Sequence, residues 1–354
     1  MATTTGYLRF PTIAGDTIVF GSEDDLWTVG AEGGVARRLT ANLGQTSRPR
    51  LSPDGQLLAF TSTEEEHPEA WVMPAEGGAA RRLTYLGSPT TAVVGWAPDG
   101  RLVVISAGAQ PLRDWTIPLL VDVETGAMET LQVGPLRDLS WAPDGRGLAI
   151  SRYAFDPARW KRYRGGTAGQ LWVDRNGSGT FRRLLADISG NFVQPMWVGD
   201  RIYFLSDHEG VGNIYSVRPT GTDVRRHTDH VDYYVRFPST DGSRIVYQHA
   251  AEIWLLDPAT DTTTRLEVET RSPRVQSNRK FVPAADFLTG FSVHPDGRSL
   301  VVETRGQLFD LPLWEHAARP LGPGSGVRER LAVWLTDSHT VVAVSDEGGD
   351  EHLV

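Results

Sequence analysis

The sequence predicts an all-β fold: a six-bladed β-propeller followed by the first, incomplete blades of a second propeller. Three observations carry this. A turn motif recurs along the whole chain, each repeat holds four short strand-like segments, and no long 3.6-residue period is present that would mark the helices of an α/β fold.

The turn motif is an aromatic or apolar residue followed by x-Pro-Asp-Gly. It reads Leu51-Ser-Pro-Asp54-Gly, Trp96-Ala-Pro-Asp99-Gly, Trp141-Ala-Pro-Asp144-Gly and Val293-His-Pro-Asp296-Gly, with looser copies at Asp16, Asp200, Asp241 and Asp337. Successive aspartates lie 38, 45, 45, 56, 41, 55 and 41 residues apart. Proline presets φ, and Asp and Gly tolerate the tight geometry, so each copy joins a first strand to a second. An apolar-aromatic pair then marks a third strand, as in Leu26-Trp27, Ala70-Trp71, Leu171-Trp172 and Ile253-Trp254. Arg37-Arg-Leu-Thr40, Arg81-Arg-Leu-Thr84 and Arg225-Arg-His-Thr228 mark the fourth. The tryptophans at 96, 141, 197 and 334 share one place in the unit and are expected to pack between blades.

The blades are expected from about Ile13 to Glu269. Residues 1–270 are read as the six-bladed propeller, 271–284 as a polar linker, and 285–354 as the start of a second propeller. The repeat pattern stops within a blade, which would leave an apolar edge unpaired, so the second propeller is expected to be truncated.

Composition narrows the function. The 354 residues carry 35 basic and 44 acidic side chains, a formal net charge of -9, which disfavours nucleic acid as a partner. Cysteine is absent, which excludes disulfides, thiolate metal sites and cysteine nucleophiles. No apolar leader opens the chain and no apolar run is long enough for a membrane helix, so a cytoplasmic protein without membrane contact is expected. There is no G-x-S-x-G elbow, H-E-x-x-H pair, Walker loop or G-x-G-x-x-G. No cofactor, metal site or catalytic residue is expected within this chain, and its residues read as a binding or gating module.

One segment breaks the pattern. Between Asp144 and Asp200, residues 155–170 form an insert in which Arg159, Lys161, Arg162 and Arg164 alternate with Trp160 and Tyr163. Positive charge concentrated in an acidic protein fits a clamp for a carboxylate or peptide. It fits equally a surface that packs on a neighbouring domain or subunit.

Several segments resemble the N-terminal part of the tricorn protease family: Asp25-Leu-Trp27, Arg159-Trp-Lys-Arg-Tyr-Arg-Gly-Gly-Thr-Ala-Gly169, Gly212-Asn-Ile-Tyr-Ser216, Thr228-Asp-His-Val-Asp-Tyr-Tyr234 and Arg305-Gly-Gln-Leu-Phe309. The Tyr-Arg-Gly-Gly-Thr and Asp-Tyr-Tyr segments are not general propeller features. The resemblance implies a cytoplasmic serine peptidase that degrades oligopeptides downstream of the proteasome, with a six-bladed and then a seven-bladed propeller acting as channels and gates. It implies homohexamers, downstream aminopeptidases as partners, and catalytic residues beyond Val354. Archaeal members carry an arginine pair after the second blade to hold the substrate C-terminus; here residues 85–92 contain no basic side chain, and the insert is the candidate substitute. The competing readings are a stand-alone TolB-like binding propeller and the propeller of a prolyl-oligopeptidase-type enzyme. The first lacks its usual signal peptide, and the second lacks the Tyr-Arg-Gly-Gly-Thr insert.

Overall fold

Each repeat folds as an antiparallel sheet because its turns and its outer edge are chemically specified. In the Asp-Gly turns, the aspartate caps the backbone: Asp54 Oδ1 accepts from Gln56 N at 3.1 Å, Asp144 Oδ1 from Arg146 N at 2.9 Å and Asp241 Oδ1 from Ser243 N at 2.9 Å. The glycine after it takes the left-handed conformation, with φ of +71° at Gly55 and +89° at Gly100, which a Cβ would strain.

The computed structural model describes residues 7–272, 283–324 and 326–354. It divides into two compact units, Met1–Pro273 and Arg274–Val354. Among the described residues the first unit holds six antiparallel sheets. Sheet 1 comprises Arg9–Ala14, Thr17–Ser22, Asp25–Gly30 and Gly33–Arg38; sheet 2, Thr46–Leu51, Leu57–Ser62, Glu69–Pro74 and Arg81–Arg82. Sheet 3 comprises Ala92–Trp96, Leu102–Ser106, Ile117–Val121 and Met128–Thr130; sheet 4, Asp138–Trp141, Leu148–Arg152, Gln170–Asp174 and Arg182–Arg183. Sheet 5 comprises Phe192–Val198, Arg201–Ser206, Asn213–Val217 and Arg225–Arg226; sheet 6, Val235–Thr240, Ile245–His249, Glu252–Asp257 and Thr262–Arg265. The first strand starts at Arg9, earlier than the Ile13 expected, because Leu8 is already buried and donates its N–H to Ala251 O. Of the predicted linker, residues 273–282 lie outside the described residues.

First strands touch the first strands of neighbouring sheets, whereas fourth strands touch little beyond their own third strand. The first strands therefore surround an axis and the fourth strands form the rim. Apolar cores lie between sheets. One joins Phe20 and Trp27 of sheet 1 to Val246 and Ile253 of sheet 6, another joins Val19 and Leu26 to Leu58 and Phe60 of sheet 2, and so on round a closed ring. The repeated tryptophans belong to these contacts. Trp96 donates Nε1–H to Arg50 O of sheet 2, and Trp197 packs on Ala142 and Ala149 of sheet 4. The ring is fastened by Val268–Thr270, which pairs in parallel with the outer strand of sheet 1. Gly33 is required there: a Cβ would meet Glu267 O at 2.6 Å, and its φ is +85°.

The Arg-Arg-Leu-Thr segments build a clasp at the rim. Thr84 Oγ1 donates to Glu69, the residue that opens the third strand, and accepts from Ala70 N at 2.9 Å. Arg82 Nε donates to Thr84 O at 2.8 Å. The same arrangement holds Thr40 to Asp25 and Thr228 to Asn213. A carboxylate or carboxamide at the third-strand start and a hydroxyl at the fourth-strand end thus satisfy backbone groups that short edge strands would leave bare.

The second unit holds a 3-10 turn, Ala284–Phe287, then a four-stranded sheet of Leu288–Val293, Ser299–Thr304, Gln307–Pro312 and Arg319–Pro320. A three-stranded sheet of Glu329–Trp334, Val341–Ser345 and His352–Leu353 packs on it through Val301, Leu308 and Ala343.

Two outcomes follow. Thr84→Val keeps the shape of the side chain but takes one donor from the buried Glu69, which keeps Gly87 N and Arg82, and leaves Ala70 N without its acceptor; it is expected to lower stability in urea by about 1–3 kcal/mol. Desolvation, then the neighbouring His249, hold the His230 imidazole down from 6.5 to about 4. Only the unfolded chain takes up that proton between these values, so stability is full above about pH 6.5 and falls as pH drops towards 4. Urea midpoints measured across that window should decline in the parent protein and decline less in His230→Phe.

Candidate functional site

The axis of the ring is lined by strands that break a local rule. The first strands of sheets 1, 2, 5 and 6 each contain an x-Pro step: Phe10-Pro11, Arg48-Pro49, Gln194-Pro195 and Phe237-Pro238. Proline removes a ladder donor, and each step coincides with a register shift. The residue before each proline has φ of +52°, +48°, +53° and +49° respectively, a conformation that costs roughly 1 kcal/mol or more in a non-glycine residue. Such bulges re-aim side chains. Phe10 and Phe237 meet with ring centroids 4.3 Å apart. The matched x-Pro steps are a further repeat marker in the sequence, one that shows only when the repeats are aligned on their bulges.

The insert crosses this axis. It leaves sheet 4 after Arg152 and returns at Gln170. Phe155 lies 6.1 Å from the Phe237 ring of sheet 6, and the Arg48 guanidinium of sheet 2 sits 3.9 Å above the Phe155 ring. Asp156 pairs with Arg236 of sheet 6, its Oδ2 accepting from Arg236 Nε at 3.0 Å. Sheets 2, 4 and 6 are alternate members of the ring, so a segment that starts in one and touches the other two lies over the centre. The insert joins a second strand to a third, and those turns lie at the same end of each sheet as the start of the first strand, where the bulges are. The insert therefore lies over that end of the ring.

Charge is enclosed beneath the insert. Burial lowers Arg48 from its usual value to about 10 and lowers Arg50 too, against the pull of Asp138. Burial likewise pushes the Asp138 carboxyl up to about 6 although Arg50 and Arg48 oppose it. Arg50 Nε donates to Val94 O at 3.0 Å. Gln194, 3% exposed, has neither amide atom hydrogen-bonded.

The four basic residues of the insert divide. Arg164 Nη1 donates to Asp207 Oδ1 at 3.0 Å and its Nη2 to Asp207 O at 2.9 Å; the Arg162 N–H reaches Asp207 Oδ2 at 2.8 Å. Asn191 also donates to Asp207, whose side chain is fully buried. Arg164 is thus a tether within its own propeller, because the Tyr-Arg-Gly-Gly turn brings its guanidinium back onto sheet 5. Lys161 Nζ lies 5.6 Å over the Tyr234 ring, and Arg159 is exposed. The insert is fastened to its own propeller, on sheets 2, 5 and 6. Among the described residues no group of three or more His, Cys, Asp and Glu could hold a metal ion, and no helix is long and apolar enough to cross a membrane.

Residues 5–262 match the family described as the tricorn protease N-terminal beta propeller domain. The chain is 41% identical over 352 residues to tricorn protease homolog 1 of Streptomyces coelicolor, covering 98% of this chain and 33% of that protein. It is 34% identical over 309 residues to the tricorn protease of Thermoplasma acidophilum, covering 84% of this chain and 28% of the relative. The crystal structure of the tricorn protease superposes with a TM-score of 0.79 at 28% identity, over 99% of this chain and 35% of that one. The chain therefore spans about a third of the length of the proteins it matches.

Removing the Arg164 tether with Arg164→Ala leaves Asp207 with fewer donors, and should cost about 1–3 kcal/mol after allowing for the partial exposure of the arginine. Arg159→Ser should change stability by less than about 0.5 kcal/mol in the same denaturant titration.

Proposed function

This chain belongs to the tricorn protease family and forms the propeller part of a tricorn-like protease; from that premise we propose that its ring is the gated passage through which oligopeptides travel to or from a serine-type peptidase core. The core, with its nucleophile, histidine and oxyanion hole, is placed by this reading in the portion of the longer relatives that the chain does not span. The one observation that carries the gate is the insert: it lies across the axis and is held by side-chain contacts, not by strand pairing. Breaking Asp156–Arg236, the Asp207 cluster and the Phe155 contacts would free it without disturbing any sheet ladder.

The same reading makes the second unit the opening blades of a second, seven-bladed propeller. Phe291, Val293, Leu331 and Val333 are more than half exposed on its two sheets, which is the apolar area a further blade would cover. A homohexamer in the cytoplasm, passing its products to aminopeptidases, completes the proposal.

The test uses the full-length protease that contains this chain. Replacing residues 155–164 with a short Gly-Ser turn is expected to raise oligopeptide turnover, as follows where opening of a lid limits the rate. Titration of active sites with an irreversible serine-directed inhibitor should be unchanged. Equal turnover with and without the insert would show that it gates nothing.

A further inference from the structure

An asparagine or aspartate side chain followed by glycine is open to attack by the backbone, because glycine has no Cβ to shield its N–H. The chain has six such steps: Asp-Gly at 54, 99, 144, 241 and 296, and Asn176-Gly177. In the five aspartate steps the side chain is occupied. Each Oδ1 accepts a backbone N–H two residues on, at 3.1 Å from Gln56, 3.1 Å from Arg101, 2.9 Å from Arg146, 2.9 Å from Ser243 and 3.0 Å from Arg298. Asn176 differs. Its side chain is exposed, and among the described residues neither its side-chain amide nor the Gly177 N–H has a hydrogen-bond partner. The other described asparagines precede bulky residues, Leu43, Phe192 and Ile214. Asn191 and Asn213 are also held through their amides: Asn191 Oδ1 accepts from Gly169 N at 2.9 Å, and Asn213 Nδ2 donates to His230 O at 2.9 Å.

We propose that Asn176 is a modification site, at which the folded protein deamidates spontaneously to isoaspartate and aspartate and so loosens the rim of sheet 4. The Gly177 nitrogen gives its proton to solvent base and attacks Asn176 Cγ. The Cγ–Nδ2 bond breaks and ammonia leaves, which closes a five-membered succinimide. Water then opens the ring. Hydrolysis of the new bond to Cγ restores the main chain with an aspartate; hydrolysis of the original peptide bond leaves the main chain running through Cγ, as isoaspartate with a free α-carboxylate. The surroundings decide what this does. Asp174 organises the loop between the third and fourth strands of sheet 4, accepting from Asn176 N at 3.1 Å, Ser178 Oγ at 3.2 Å and Gly179 N at 2.6 Å. Gly177 lies against Arg146 O, with a φ of +70° and no room for a Cβ, which would come within 2.8 Å. Both products put a second carboxylate two positions from Asp174. Isoaspartate also adds a carbon to the main chain, so Gly177 cannot keep its seat on Arg146 while Ser178 and Gly179 keep Asp174. The outer strand that follows, Arg182–Arg183, is two residues long and has little pairing of its own to resist the change.

The test is incubation of the whole folded 354-residue chain in mildly alkaline and in mildly acidic buffer, then digestion in acid and mass spectrometry of the peptides. A sample digested at once gives the background. The peptide holding Asn176 is expected to gain about one dalton, ammonia lost and water taken up, faster in the alkaline buffer and ahead of the peptides that hold Asn42, Asn191 and Asn213. An isoaspartate-specific carboxyl methyltransferase supplied with S-adenosylmethionine should label the aged chain and not the fresh one. Amide hydrogen exchange at Arg182 and Arg183 should quicken on ageing. Asn176→Gln, whose longer side chain would have to close a six-membered ring, should show no gain, no label and no change in exchange. A peptide that gains mass only after the chain is unfolded in urea would show that the fold holds the amide away from Gly177, and would overturn the proposal. So would earlier deamidation at another asparagine, or an Asn176→Gln chain labelled as fast as the parent. Deamidation at Asn176 with unaltered exchange at Arg182 and Arg183 would overturn the loosening of the rim.

Discussion

Every sheet in the ring depends on its neighbours for burial of its apolar side chains. Phe60 and Leu58 are fully buried only because sheet 1 lies against them, and Ile253 only because sheet 1 also closes back on sheet 6. Apolar burial is roughly proportional to area removed from water, so an open row of six sheets would leave two large faces wet and forfeit two half-cores. Closure is the constraint from which the remainder follows. It fixes the first strands around an axis and pushes variation to turns, insert and rim.

Within that frame the rim clasp is the unit of repetition, and departures from it are informative. Sheets 1, 2 and 5 join a polar third-strand residue to a threonine hydroxyl and a backbone carbonyl to an arginine. Sheet 4 lacks the threonine and the carboxylate and also carries the insert. Where the insert rejoins that sheet, Gly169 N donates to Asn191 Oδ1 at 2.9 Å, and Asn191 is held in turn by Asp207.

Much of this was legible in the sequence. Asp-Gly turns, apolar-aromatic pairs and Arg-Arg-Leu-Thr segments each have a local chemical reason, so they mark turns, third strands and rims without tertiary information. The tryptophans could be assigned to the interfaces because they fall at one repeat position. What escaped notice depends on several sheets at once. Pro49 and Pro195 look like strand breakers when read singly; only their shared position shows a bulge aimed at an axis. Arg159, Lys161, Arg162 and Arg164 look alike as a charged run, since nothing local tells that Asp207, in another repeat, has a buried carboxylate that takes one of them. The place of the insert over the axis was out of reach, because Phe155 meets residues of repeats two and six.

The fastening of the ring has a temporal side. Thr12 and Ser239, whose hydroxyls meet at 3.3 Å across the closing interface, are 227 positions apart, and the parallel pairing of Val268 with Gly34 spans a similar stretch. Five interfaces join repeats adjacent in sequence, and their loops are cheap to close; the sixth joins the first repeat to the last. On a ribosome, sheet 1 therefore emerges early with one apolar face uncovered and keeps it so until the sixth repeat has followed. During that interval the nascent chain presents Phe20 and Trp27 to the cell, and the time it spends in that state is set by translation, not by the speed of β-sheet formation.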